Sequence, residues 1–145
     1  MSLALVSVLV TVVSPKPMHG ESCKISALSG AYGLAINGYI SFSSAVPPLL
    51  ISKFSPISVS GTVRFANTGK MHRSVQVNVG GAVFPVVDAG TYVLNSDCTF
   101  TITHGNGEIW TVTPVKHDAE LAFIVTSVPG AVGVGAGTMV RKDNE

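Results

Sequence analysis

From Ser74 to Val79 the chain alternates without a break: Val75, Val77 and Val79 fall on one side, and Ser74, Gln76 and Asn78 on the other. A side-chain period of two marks a strand with one buried face. The same rhythm recurs from Ser29 onward, cut at short intervals by Gly, Pro or Asn-Gly, and no segment with a helical period competes with it. Tyr32, Leu34 and Ile36 share a face before Asn37-Gly38, a turn dipeptide expected to close the first segment. Ser41 to Pro56, with Pro47, Pro48 and Pro56, is expected to be a loop or irregular edge, because proline removes ladder donors. Gly61 to Phe65 resumes the alternation with Val63 and Phe65 inward and Arg64 outward, until Asn67-Thr68-Gly69 turns the chain.

Gly80-Gly81 breaks the Ser74 to Val79 strand, Ala82 to Val87 reads as a short apolar segment carrying Pro85, and Gly90 to Leu94 reads as the next strand. Phe100 and Ile102 then point one way, and Gly105-Asn106-Gly107 is the strongest hairpin signal in the chain. The return segment, Ile109 to Val115, sets Trp110 and Val112 on one face. Lys116-His117-Asp118 reads as a turn, followed by Leu121, Phe123 and Val125 as an inward set. From Val132 to Val140, Gly133, Gly135 and Gly137 leave one face bare, so a group from elsewhere must pack closely there. Together these segments predict an all-β fold of roughly eight antiparallel strands. We expect an up-and-down barrel, with a sandwich as the alternative, because closure removes edges that a Val- and Thr-rich sheet could use to aggregate.

Composition narrows the function classes. With Lys+Arg 9 against Asp+Glu 8 in 145 residues, the chain lacks the basic excess of a nucleic-acid module. Hydrophobic residues at 46% against 12% charged exclude intrinsic disorder. Leu3 to Val13 is apolar apart from Ser7 and Thr11, and Pro15-Lys16-Pro17 ends it: the length of a signal-peptide core, too short to span a bilayer as a helix. The competing reading of this stretch is a first β-strand of the barrel. We therefore divide the chain into a signal-like or disordered segment, 1–22, and one barrel domain, 23–145, and expect a secreted or periplasmic protein. Two cysteines, Cys23 and Cys98, are then most simply read as one disulfide.

Chemistry-bearing residues are sparse. His19, His72, His104 and His117 are dispersed, form no close pair that would hold a metal, and are expected as exposed turn histidines. Asp88, Asp97, Glu108, Asp118 and Glu120 cluster at strand ends, where solvation is cheap. A paired general acid and base arises only if Glu108 or Asp88 turns into the barrel mouth. No Gly-x-Ser-x-Gly elbow exists. Tyr32, Tyr92 and Trp110 are expected on the inward face, each with a polar tip that needs a partner when buried, either as ligand-lining residues or as core filling.

The opening Cys23 to Gly33 with its Leu28-Ser29-Gly30-Ala31-Tyr32-Gly33 run, the segment Gly90-Thr91-Tyr92 through Asp97-Cys98-Thr99, and the closing Gly137-Thr138-Met139-Val140-Arg141 resemble a group of small exported bacterial proteins. That resemblance implies a calycin-like or allene-oxide-cyclase-like barrel, mostly without assigned function. Phe100 and the proline-rich Ser41 to Pro56 stretch depart from the group's pattern. The expected function is binding of a small, largely apolar molecule in the barrel interior without a cofactor, lined by Tyr32, Tyr92 and Trp110. The alternatives are a cofactor-free cyclase or isomerase acting by orientation and a structural barrel with a filled core.

Overall fold

A computed structural model describes residues 24–42, 54–116 and 119–142. A single turn of 3-10 helix, Ile25–Leu28, precedes eight strands: β1 (Gly30–Phe42), β2 (Ser55–Phe65), β3 (Lys70–Val79), β4 (Ala82–Leu94), β5 (Phe100–His104), β6 (Ile109–Lys116), β7 (Glu120–Ser127) and β8 (Ala131–Arg141). Each strand runs antiparallel to the next, and β8 returns to β1 to close the barrel in sequence order. The expected all-β, eight-stranded antiparallel barrel is the observed one. Its turns follow the conformational demands of their residues. Gly80 and Gly81 hold φ 57 and 96 in the two-residue β3–β4 turn, the combination that such a hairpin requires and that glycine alone adopts freely.

Two expected breaks are absent, and the strands flanking a third reach into it. Asn37-Gly38 does not turn: β1 continues to Phe42 because Asn37 pairs with Ser58 on one side and Ala136 on the other, and two ladders outweigh a local turn preference. Ala82 to Val87 and Gly90 to Leu94 are one strand, β4. Its pairing with β5 begins only at Gly90, so Pro85 lies where β4 has β3 alone as partner, a position that tolerates a missing donor. The stretch expected as a loop from Ser41 to Pro56 contributes Ser41 and Phe42 to β1 and Ser55 and Pro56 to β2, with 43–53 outside the described residues. The signal-like segment 1–22, Cys23, and the His117-Asp118 part of the expected turn also lie outside them.

The inward rows are graded in size along the barrel. At the end where β1 begins, Tyr32, Phe65, Tyr92 and Phe100 form a chain of edge-on and tilted ring contacts, with centroids 5.2 to 6.2 Å apart. The 3-10 turn closes this end, burying Leu28. Two bonds from the barrel fasten it: Tyr92 Oη, whose one proton is shared between the Ile25 and Ala66 carbonyls, reaches Ile25, and Arg141 Nη2, which also donates to Tyr32 Oη at 2.7 Å, reaches the Ala27 carbonyl. Burial, with Tyr32 beside it, raises the Tyr92 phenol above its ordinary pKa. The bare stripe on β8 is filled as expected at Gly137, over which the Phe123 ring packs.

A Cβ at Gly137 would collide with the Ala35 carbonyl oxygen and come within 2.7 Å of Phe123 Cζ, whereas at Gly33 the nearest atoms would lie 3.8 Å away. Gly137→Ala should therefore cost about 1–3 kcal/mol of unfolding free energy by overpacking, and Gly33→Ala should stay within about 0.5 kcal/mol of wild type. Urea-unfolding midpoints of the two variants check this, and equal midpoints would contradict the packing described.

Candidate functional site

At the opposite end, where β1 finishes and β4 starts, Ile36, Ile40, Phe42, Ile57 and Phe84 share the interior with Val59, Val77, Val79, Val86 and Val125, while Gly133 and Gly135 present no side chain at all. These leave a largely apolar cavity of about 170 Å³, with half-exposed Tyr39 at its rim. That is below the ~300 Å³ of drug-sized pockets and comparable to the ~150 Å³ of apolar cavities that take a single benzene ring. The barrel is thus neither wholly filled nor wholly hollow: one end is solid and the other is not.

The floor of the cavity is charged. Arg73, on the inward row of β3 between Met71 and Val75, is 4% exposed. Its Nη2 donates to Asp88 Oδ2 at 3.0 Å and to Glu108 Oε2 at 2.8 Å. Asp88 continues the inward row of Phe84 and Val86 on β4. Glu108 is set by the β5–β6 hairpin: Gly107 holds φ 86, and Asn106 Oδ1 accepts the Glu108 N–H. The second Glu108 oxygen accepts from Trp110 Nε1 at 2.7 Å, and the Arg73 guanidinium stands 5.3 Å from the Trp110 ring centroid. Arg73 and Glu108 border the cavity.

His104 completes the cluster and corrects an expectation. It is not an exposed turn residue but 2% exposed, sharing the inward row of Phe100 and Ile102 and lying 4.3 Å from Trp110 between ring centroids. Its Nδ1 stands 3.6 Å from Asp88 Oδ2, too far for a hydrogen bond. Burial first, then the nearby Arg73 charge, lower its pKa to about 4, against the opposing pull of Glu108 and Asp88. The imidazole is therefore neutral at pH 7. His72, by contrast, is exposed on the outer face of β3.

The three aromatics expected to line a ligand are all buried and inward, but the cavity walls are built by other residues. Tyr32 and Tyr92 belong to the plugged end. Trp110 stacks on Phe123 with centroids 4.7 Å apart and stands behind Arg73 and Glu108. Asp97, in the turn of the Asp97-Cys98-Thr99 segment, accepts from the Thr99 hydroxyl and N–H, which holds its carboxyl below the usual range. Arg73 is the functional side chain that the sequence reading passed over. Its signal was parity, because Val75 inward places Arg73 inward as well. Among the described residues no group of three His, Cys, Asp or Glu side chains is placed to hold a metal ion, and no helix is long and apolar enough to cross a membrane.

No family model and no curated protein matches the chain. Among solved structures it is similar to the S-type phycobiliprotein lyase CPES from Guillardia theta, at 8% identity and a TM-score of 0.48, over 83% of this chain and 92% of that one. It is also similar to bovine odorant binding protein complexed with its natural ligand, at 16% identity and a TM-score of 0.41, over 83% of this chain and 74% of that one.

The His104 shift has a consequence for stability. The folded imidazole titrates near 4, below its unfolded value of about 6.5, so the unfolded chain takes up this proton first as pH falls. The His104 contribution is complete above about pH 6.5 and declines toward pH 4. Wild type should lose more unfolding free energy between pH 7 and pH 5 than His104→Phe, by on the order of 1–2 kcal/mol. Urea titrations at the two pH values measure this, and parallel losses would show that His104 is not held neutral by the fold.

Proposed function

We propose that this chain is a binding protein that holds one small, largely apolar molecule in the mouth of its barrel. The observation that carries the reading is the hollow end itself: Gly133 and Gly135 present no side chain there, the apolar walls leave a space that the packed end lacks, and that space ends on a fixed polar cluster. An apolar concavity with a few convergent polar groups is the usual form of a small-molecule site. Its volume of about 170 Å³ admits a body about the size of one ring. The walls supply apolar contact, and the Arg73, Asp88 and Glu108 cluster supplies orientation.

Toluene serves as a probe of this site. Isothermal titration of the full chain should show saturable binding at one site. Val77→Phe, which extends a wall residue into the cavity, should weaken binding at least tenfold while leaving the thermal midpoint equal or higher. Absence of toluene binding by the wild type, or undiminished binding by a well-folded Val77→Phe, would overturn the reading.

The same reading includes export, to a secreted or periplasmic location, and a Cys23–Cys98 disulfide. Its support is the apolar run Leu3 to Val13 and the even cysteine count. In the fold, Cys98 occupies the β4–β5 turn with φ 66, its N–H donating to the Asn95 carbonyl. Thiol titration of the unfolded, unreduced protein should find no reactive thiol. Two thiols per chain would remove the disulfide, and with it the main chemical argument for an oxidising compartment.

A further inference from the structure

The charge balance at the cavity floor points to a more definite ligand. Two carboxylates, those of Asp88 and Glu108, accept from the same Arg73 nitrogen, so one guanidinium is shared between two acids. The fourth member of the cluster, His104, adds no charge at neutral pH. The floor therefore carries more negative than positive charge in surroundings that are otherwise apolar. Hydrogen bonding is incomplete as well, for donors and acceptors alike. Asp88 Oδ1 is buried and accepts from no partner among the described residues, and the two His104 nitrogens and Arg73 Nε are likewise unpaired there. A buried carboxylate oxygen without a donor is costly, and the cost falls when a cation donates to it.

Resting on the reading that the cavity takes a small apolar molecule, we propose that this molecule is an apolar amine. Its ammonium docks at the floor against Glu108, with Asp88 behind it on the shared Arg73, and its hydrocarbon body lies along Val59, Val77 and Val86. The ammonium brings the positive charge that two carboxylates sharing one guanidinium lack, and a donor for an open carboxylate oxygen. A carboxylate ligand meets the opposite situation: the Arg73 charge that would attract it is already engaged by two acids, and those acids repel it. The amine also fits by position. Glu108 and Arg73 both border the cavity, so the excess charge lies at the inner limit of the space and a single ring carrying an aminomethyl group spans from floor to walls. The site is thus selective for cationic over neutral and anionic molecules of the same shape, and Trp110, donating to Glu108 Oε1, holds the accepting carboxylate in place.

Four ligands of one shape separate this inference from the reading it rests on: toluene, benzyl alcohol, benzylamine and benzoate, each titrated calorimetrically into the full chain at pH 7. Benzylamine is expected to bind at least tenfold more tightly than benzyl alcohol, and benzoate more weakly than either. In Glu108→Gln and in Asp88→Asn the ratio of benzylamine to benzyl alcohol affinity should narrow toward one, whatever the absolute affinities, with unfolding midpoints confirming that each variant is folded. If toluene and benzyl alcohol bind and benzylamine binds no better than the alcohol, the amine inference is wrong and the apolar site remains. If benzoate binds most tightly, Arg73 governs recognition and the inference is likewise wrong. If toluene does not bind, the binding reading itself fails, and the inference that rests on it fails with it.

Discussion

One guanidinium, that of Arg73, joins three strands of the barrel through its interior. It leaves β3 and reaches Asp88 on β4 and Glu108 at the foot of β6, spanning the region where β4 has not yet met β5. Backbone pairing is thin around β5, since the β4–β5 ladder holds only Gly90 to Leu94 and the β5–β6 ladder only Phe100 to Thr103. Side-chain charge takes over where the ladder stops. Such a contact depends on being complete: removing one partner of a buried ion pair leaves an uncompensated charge, at a cost of about 3–5 kcal/mol. The cluster is therefore both a strut and the charged surface that the cavity meets.

The second organising feature is the division of the interior by side-chain size. A sheet closed into eight strands has an inside just wide enough for its own residues. Tyr32, Phe65, Tyr92, Phe100 and Trp110 use that width completely, and the 3-10 turn with Leu28 seals the end they fill. At the other end, where Gly133 and Gly135 present no side chain, the apolar lining leaves a cavity. Dense packing and open space are thus assigned to opposite ends of one barrel. Both tyrosines and the tryptophan serve the solid half, where their polar tips find Arg141, backbone carbonyls and Glu108.

Much of this architecture was legible in the alternation of residues. Val63, Phe65, Val75, Phe100, Ile102, Trp110, Val112, Leu121 and Phe123 are all buried, as parity requires. Parity also carries Arg73, Asp88, His104 and Glu108 inward, yet charge and polarity argue for placing such residues in water. Which argument prevails depends on whether the groups compensate one another, and that depends on register. Met71 opposite Gly90 brings Arg73 opposite Asp88, and no single strand reveals this. The long β1 and β4 were obscured for a related reason: Asn37-Gly38 and Pro85 are local break signals, and only the neighbouring strands decide whether they break anything.

The seam between β1 and β8 sets how the chain reaches this structure. Tyr32 and Arg141, hydrogen-bonded across it, are 109 positions apart, and Ala27 and Arg141 are 114 apart. Contacts between such distant parts of a chain form only after the loop entropy between them has been overcome, so topologies rich in them fold in milliseconds to seconds rather than microseconds. Until the seam joins, β1 and β8 each expose an unpaired edge in a charge-poor, Val-rich chain. Folding speed and the risk of intermolecular strand pairing are thereby tied to the same eleven-residue register, Tyr32 to Phe42 against Ala131 to Arg141.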